Sequence, residues 1–335
     1  LIAEKKVNAL VLVHNVEIMN NWIKDLNSFL TINEELPTYT TPKGRVKKRS
    51  SLIGTFSSQK DATTGIIDIA MITSLGREDN INELVRNYGM VIVDECHHAA
   101  AVTHENVLRA VTARYIYGMS ATINRGDKQD KKMFMQLGPI RHRYTAKERA
   151  QKQGIGHYIY PRFTRLVDLN QSEDRNPADY YRLIMQSELR NMQIVSDTID
   201  CVKRGRTPVV MTKYKEHAQK LYDMLQGSAD HVFLLQGGKS LKERAAIRED
   251  MAAVRADESI ILVAIGQYVG EGFNYPHLDT MLLAMPISLE GNVEQHAGRL
   301  NRDYEGKKDA IIFDYIDQHV PTLKRMYYKR LRAYK

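Results

Sequence analysis

The chain is predicted to be an α/β protein of two comparable units, each a parallel sheet flanked by helices. Short apolar runs rich in β-branched residues alternate with amphipathic helical patterns in both halves of the 335 residues, the pattern of parallel sheets covered by helices. Most of those runs are near-continuously apolar, as strands buried on both faces are. The length suits two domains better than one.

Taken in order, "LIAEKKVN" reads as the last turns of a helix already under way, with no cap before it. Strand-like "ALVLVH" (9–14) follows, then the amphipathic "NVEIMNNWIKDLNSFL" (15–30) and the strands "DIAMIT" (68–73), "MVIVDE" (90–95) and "YIYGMSAT" (115–122). These make a first unit over 1–140. Between its helix and its second strand, "PKGRVKKRS" (42–50) reads as a basic loop tip able to brush phosphates. Residues 141–176 are polar and basic and read as a linker. The second unit, 177–318, opens on a helical segment (177–205) and offers the strands "PVVMT", "HVFLLQ", "SIILVAI", "TMLLAMP" and "AIIFDYI". The tail 319–335 reads as a basic amphipathic helix whose Leu and Tyr face packs on that unit.

Composition sets the surroundings. A formal net charge of +8 favours a polyanionic partner. The two cysteines, Cys96 and Cys201, have neither metal nor redox spacing, which suits a reducing, cytoplasmic setting. No apolar run is long enough to span a bilayer, so no membrane role is expected.

Chemistry concentrates at "VIVDECHHAA" (91–100). The carboxyl end of a buried parallel strand faces the ligand crevice, and on a continuing strand Asp94 and Glu95 would point to opposite sides. One carboxylate holding Mg²⁺ on a nucleotide, beside one that activates water, is the division that phosphoryl transfer needs. A solvated strand end, or zinc on Cys96, His97, His98 and His104, are the rival readings of this stretch alone. Ser120 and Thr122 close a neighbouring strand, with hydroxyls able to bond those carboxylates. In "NVEQHAGRLNR" (292–302), a helix would align Gln295, Arg299 and Arg302 on one face, where paired arginines call for an anion such as a phosphate chain. Gly266, Gly270 and Gly272 form a loop that backbone amides could bring to a phosphate. "GGKS" (237–240) is not a triphosphate loop, because Phe233 stands where G-x-x-x-x-G-K-[ST] requires glycine.

In order and spacing these pieces resemble the motor core of superfamily 2 helicases and translocases, nearest the XPB-like, type III restriction res-subunit-like DExH group. "VLVHNVEIMNNW" is similar to motif Ia, "MITSL" to Ib, "DECH" to II, "SAT" to III, "VVMTKYKEHAQKL" to IV, "GEGFNYP" to V and "QHAGRLNR" to VI. The resemblance implies two RecA-like domains with an interdomain ATP cleft, and ATP and Mg²⁺ as cofactors. Asp94 would bind Mg²⁺, Glu95 would activate water, and His97 would link nucleotide to nucleic acid. Ser120 and Thr122 would couple hydrolysis to movement. Gln295, Arg299 and Arg302 would reach the triphosphate, with Gly270, Glu271 and Gly272 as motif V. Nucleic acid, with DNA favoured, would meet His14, Asn15, Thr73, Ser74, Thr212, Gly237, Gly238 and the 270–272 loop. A fused or associated nuclease, primase or methylase subunit is compatible with the group, as are roles in restriction or repair. Two departures stand out. Asn274 occupies a position where relatives often carry Asp, and motif I, expected just before the opening helix, is absent. The chain is therefore expected to be a helicase core fragment with feeble ATP hydrolysis or none, the alternative being an ATPase-dead nucleic-acid-binding or regulatory module.

Overall fold

The computed structural model describes residues 1–41, 43–77, 80–97, 102–120, 130–144, 148, 154–168, 176–238, 241–266, 275–286, 300, 307 and 309–333. The chain divides into two compact units, Leu1–Arg143 and Tyr144–Lys335.

The first unit carries β1 (Ala9–Val13), β2 (Thr38–Thr40), β3 (Val46–Lys48), β4 (Ile53–Ser57), β5 (Lys60–Asp61), β6 (Ile67–Met71), β7 (Gly76–Arg77), β8 (Asn80–Ile81), β9 (Met90–Val93) and β10 (Tyr115–Gly118). Its main sheet runs β10-β9-β1-β6-β4-β5, parallel except for the edge strand β5. Successive side chains of a strand face opposite ways. Leu10, Leu12, Val91 and Val93 therefore pack in one core, and Val11, Val13, Met90 and Ile92 in the core on the other face. That division explains the unbroken apolar runs. The Val16–Phe29 helix covers the second core with Ile18, Met19 and Leu26, and the Asn15 side chain caps it by accepting from the Ile18 amide at 2.8 Å.

The second unit carries β11 (Gly156–Phe163), β12 (Pro208–Thr212), β13 (His231–Leu235), β14 (Ile260–Ile265), β15 (Thr280–Leu283) and β16 (Asp309–Ile316) in one parallel sheet ordered β11-β16-β15-β12-β14-β13. The segment read as a linker thus contains a full strand. β11 lies at the sheet edge and is mostly exposed, so it has no buried apolar run to announce it, and an edge is where Pro161 is tolerated. The 177–205 segment is two helices, Pro177–Gln186 and Glu188–Lys203, parted at Ser187, whose hydroxyl accepts from the Arg190 amide. The closing helix, Pro321–Ala333, packs through Leu323 beside Leu166, Ile184 and Met285. Its Arg330 forms a buried two-bond pair with Asp314, at 3.0 and 2.7 Å. One of its cations therefore anchors the helix.

Inside the first sheet sits one fully buried carboxylate, Asp68 on β6. It accepts from the Thr64 and Gly65 amides, both at 2.7 Å, and from the Tyr88 hydroxyl at 2.5 Å. Gly54 on β4 makes room for it, since a Cβ there would lie 2.0 Å from Asp68 Oδ1 and 2.6 Å from the Ala62 carbonyl oxygen. Gly54→Ala is therefore expected to cost about 2 kcal/mol or more, the upper range of overpacking. Urea unfolding of the variant would show it as a lowered midpoint.

Candidate functional site

Chain order in the first sheet fixes where a ligand can bind. After β1 the chain winds outward to β4 and back to β6, then crosses to β9 and β10 on the other side of β1. The crevice at such a reversal opens outside the carboxyl ends of β1 and β9. His14 follows β1 and Asp94 follows β9, so the topology brings these two predicted residues together.

Strand β9 stops at Val93, one residue before the carboxylate pair. Asp94 keeps the sheet contact by donating its amide to the Leu12 carbonyl at 3.0 Å, and Glu95 then turns into left-handed backbone with φ 45°. The two carboxylates are thus parted by a turn, and the expected pleat of a continuing strand is not what separates them. A non-glycine residue held at positive φ costs about 1–3 kcal/mol and persists where its surroundings enforce it. Here Asp94 Oδ1 accepts from the Glu95 amide at 2.8 Å, and Asp94 Oδ2 accepts from Trp22 Nε1 at 2.8 Å. Burial raises the Asp94 carboxyl above its ordinary value of 3.8, opposed by these two hydrogen bonds.

Trp22, the chain's single tryptophan, is the site residue that sequence reasoning missed. It lies 72 positions from Asp94, and its own helix packs it partly into the core. Its place in the motif Ia stretch was the available signal.

Beyond Glu95, the Cys96 amide donates to the Met119 carbonyl at 2.8 Å, tying the turn to the end of β10. His97 Nδ1 lies 2.9 Å from Ser120 Oγ and 3.2 Å from Glu95 Oε2. The expected hydroxyl-to-carboxylate contact is thus replaced, among the contacts described, by an imidazole between the two. Glu95 Oε2 is buried, and its polar neighbour among the described residues is the His97 ring nitrogen at 3.2 Å. A buried carboxylate oxygen with a single imidazole beside it has capacity left for a water or a nucleotide group supplied by a ligand. Cys96 is packing: its Sγ lies 3.9 Å from Met133 Sδ in the core of the first unit, and burial pushes its thiol up to about 11.

The remaining predicted residues differ in what they display. Asn15 Nδ2 lies 3.1 Å from His14 Nε2 beside its capping bond. Thr73 is exposed in the turn Ile72–Ser74 after β6, and Ser74 Oγ accepts from the Ser58 amide at 3.0 Å. Thr212 ends β12 but is buried, with its hydroxyl 2.8 Å from His217 Nδ1, while His217 Nε2 meets Asn191 Oδ1 at 3.0 Å. The groups displayed near it are Lys213, over the Tyr181 ring at 4.5 Å, and Lys215. Gly237 and Gly238 follow β13, and Gly238 has φ +93° with Lys215 Nζ 3.4 Å from where a Cβ would stand. Thr122, Gly270, Glu271, Gly272, Gln295, Arg299 and Arg302, with His98 and Asn274, lie outside the described residues.

Two α/β units, the first with paired acids at its topological reversal, define a RecA-like core. Residues 1–125 match the family described as type III restriction enzyme, res subunit. The chain is 27% identical over 248 residues to the probable helicase D10 of Escherichia phage T5, covering 70% of this chain and 50% of that one. It is 21% identical over 239 residues to the ATP-dependent DNA helicase uvsW of Enterobacteria phage T4, covering 70% and 47%. It thus spans about half the length of both. Among solved structures, Dbp5 of S. cerevisiae bound to RNA and ADP BeF3 matches with a TM-score of 0.56 at 12% identity, over 96% of this chain and 75% of that one. Through residues 1–125 and through these relatives, the chain resembles the superfamily 2 helicases of the res-subunit-like group.

Two measurements follow from this geometry. Because Trp22 donates to Asp94, tryptophan emission is expected to titrate with a midpoint above 3.8, and the transition to vanish in Asp94→Asn. His217 is buried and neutral, and its pKa is lowered to about 3, first by burial and then by Arg190. The unfolded imidazole takes up a proton near 6.5, so this contribution to stability is intact above that pH and is lost as pH falls from about 6.5 to 3. Across that window His217→Gln is expected to lose less stability than the parent, by up to roughly 1.4 kcal/mol per pH unit. Denaturant titrations at pH 7 and pH 4.5 would measure the difference.

Proposed function

We propose that this chain supplies the motor core of an ATP-dependent DNA helicase or translocase, coupling ATP hydrolysis to movement along nucleic acid. The observation that carries this is the β9 turn, where Asp94 is oriented by Trp22 and the adjacent Glu95 keeps a buried oxygen beside the His97 imidazole. Asp94 would hold Mg²⁺ together with ATP. One carboxylate suffices, since Mg²⁺ is commonly bound by one or two carboxylates plus substrate phosphates. The described residues contain no group of three or more His, Cys, Asp or Glu that could hold a metal without such help. When bound, Mg²⁺ neutralises charge on the β- and γ-phosphates.

Glu95 orients water and accepts its proton at its carboxylate. His97, between Glu95 and Ser120, relays a change at Glu95 to the end of β10, and Thr122 joins that coupling. Gln295, Arg299, Arg302 and the motif V residues Gly270, Glu271 and Gly272 are assigned to the triphosphate by their motifs alone. Nucleic acid meets His14, Asn15, Thr73, Ser74, Gly237 and Gly238, with Lys213 and Lys215 beside them. Thr212 contributes by fixing the end of β12 through His217. DNA is favoured by the group and by the likeness to the DNA helicase uvsW, whereas the Dbp5 structure holds RNA. A cytoplasmic setting and a fused or associated nuclease, primase or methylase subunit complete the reading. No described helix is long and apolar enough to cross a membrane.

The 335 residues contain no G-x-x-x-x-G-K-[ST] loop, and by themselves they are expected to hydrolyse ATP feebly or not at all. The alternative is an ATPase-dead nucleic-acid-binding or regulatory module, which absence of such a loop from the coding sequence upstream of Leu1 would favour. DNA-stimulated ATP hydrolysis by the complete gene product that carries these residues separates the two. Glu95→Gln is expected to lower it roughly 10²–10⁴-fold, the usual contribution of a general base. Full activity in the variant, or no stimulation by DNA in the parent, overturns the motor reading.

A further inference from the structure

The basic stretch that reads as a loop tip is in fact a β-ribbon. Strands β2 and β3 pair antiparallel, with Thr38 opposite Lys48, Tyr39 opposite Lys47 and Thr40 opposite Val46. The turn is closed by the Gly44 amide donating to the Thr41 carbonyl at 2.8 Å, with Gly44 at φ 74°. Residues 37–50 hold five cations, Lys43, Arg45, Lys47, Lys48 and Arg49, and no acid. Against a net charge of +8 for the whole chain, most of the excess therefore sits in this one ribbon.

Among the described residues none of the five is in an ion pair, and all but Arg49 are exposed. Alternation puts Arg45, Lys47 and Arg49 on the face of Tyr39, where the Arg49 guanidinium lies 4.2 Å from the ring centre. Three cations two residues apart are spaced by about 6.7 Å, close to two 3.4 Å steps of one nucleic-acid strand. Repulsion among such charges is a standing cost unless a polyanion meets them.

The ribbon stands apart from the site at Asp94. It precedes β4 by four residues, and β4 runs parallel to β6 and β1, so the ribbon joins the sheet at the amino ends of the strands while Asp94 lies at the carboxyl ends. A two-stranded ribbon fits the roughly 12 Å major groove of B-form DNA, whereas the deep, narrow major groove of duplex RNA does not admit side chains. We propose that the Thr38–Lys48 ribbon is a second nucleic-acid contact, gripping the phosphate backbone of duplex DNA away from the nucleotide site.

The proposal rests on the nucleic-acid reading above, and one experiment separates their failures. Fluorescence anisotropy of this chain with labelled duplex DNA, duplex RNA and single-stranded DNA is followed against salt for the parent and for Arg45→Gln/Lys47→Gln/Arg49→Gln, with circular dichroism to confirm folding. The variant's slope of log K against log salt on duplex DNA is expected to become shallower by about 2.7, or ~0.9 for each lost phosphate contact, with a smaller change on the other two. Equal slopes for a folded parent and variant overturn the ribbon assignment and leave the helicase reading standing. An equal change on all three ligands overturns the duplex DNA assignment. Retention of poly-glutamate with no binding to any nucleic acid overturns both. If the triple variant fails to fold, the same criteria apply to Lys43→Gln/Lys47→Gln, with an expected change of about 1.8.

Discussion

Burial of both faces of the parallel sheet is the constraint on which the first unit depends. It leaves the strand ends as the place where charge can stand without a dedicated shell of partners, and reversal of chain order at β1 selects which ends converge. The contrast between two carboxylates makes the point. Asp68 lies inside the sheet and is tolerated because two amides and a hydroxyl satisfy it in a space kept open by Gly54. Glu95 lies just past a strand end, with a buried oxygen whose described polar neighbour is the His97 imidazole. Asp68 is explained entirely by contacts within the chain. Glu95, with only an imidazole described beside its buried oxygen, has room for a further partner.

The same logic runs through the second unit, where the polar groups at the end of β12 are closed on themselves. Thr212, His217 and Asn191 consume each other's donors and acceptors, and Asn191 Nδ2 also donates to the Met185 carbonyl at 2.9 Å. Such a network fixes geometry and has little left to offer a ligand. Display passes to the next residues along, Lys213 and Lys215, whose side chains are long enough to clear the buried strand end.

What was legible in the sequence follows from range. Central strands were readable because burial on both faces writes an apolar run into consecutive residues, and the acids at 94 and 95 stand directly after such a run. The edge strand Gly156–Phe163 writes no such run, and the ribbon at 38–48 has strands only three residues long, so both read as irregular. Contacts set by tertiary folding were out of reach. Nothing local to Trp22 says that its indole ends on a carboxylate 72 residues away, and nothing local to Thr212 says that its hydroxyl turns inward.

The turn after β9 also explains why these acids need neighbours of the types they have. With Glu95 at positive φ, the chain must be held on both sides or it would relax into ordinary backbone. Asp94 is held to β1 through Leu12 and to the Val16–Phe29 helix through Trp22, while Cys96 is held to the end of β10 through Met119. Cys96 has to be small and apolar, because Gly118 brings the β10 backbone close enough that a Cβ there would lie 3.0 Å from its sulfur. His97 then emerges already aimed at Ser120. Glu95, His97 and Ser120 thus stand in contact from the turn to the end of β10.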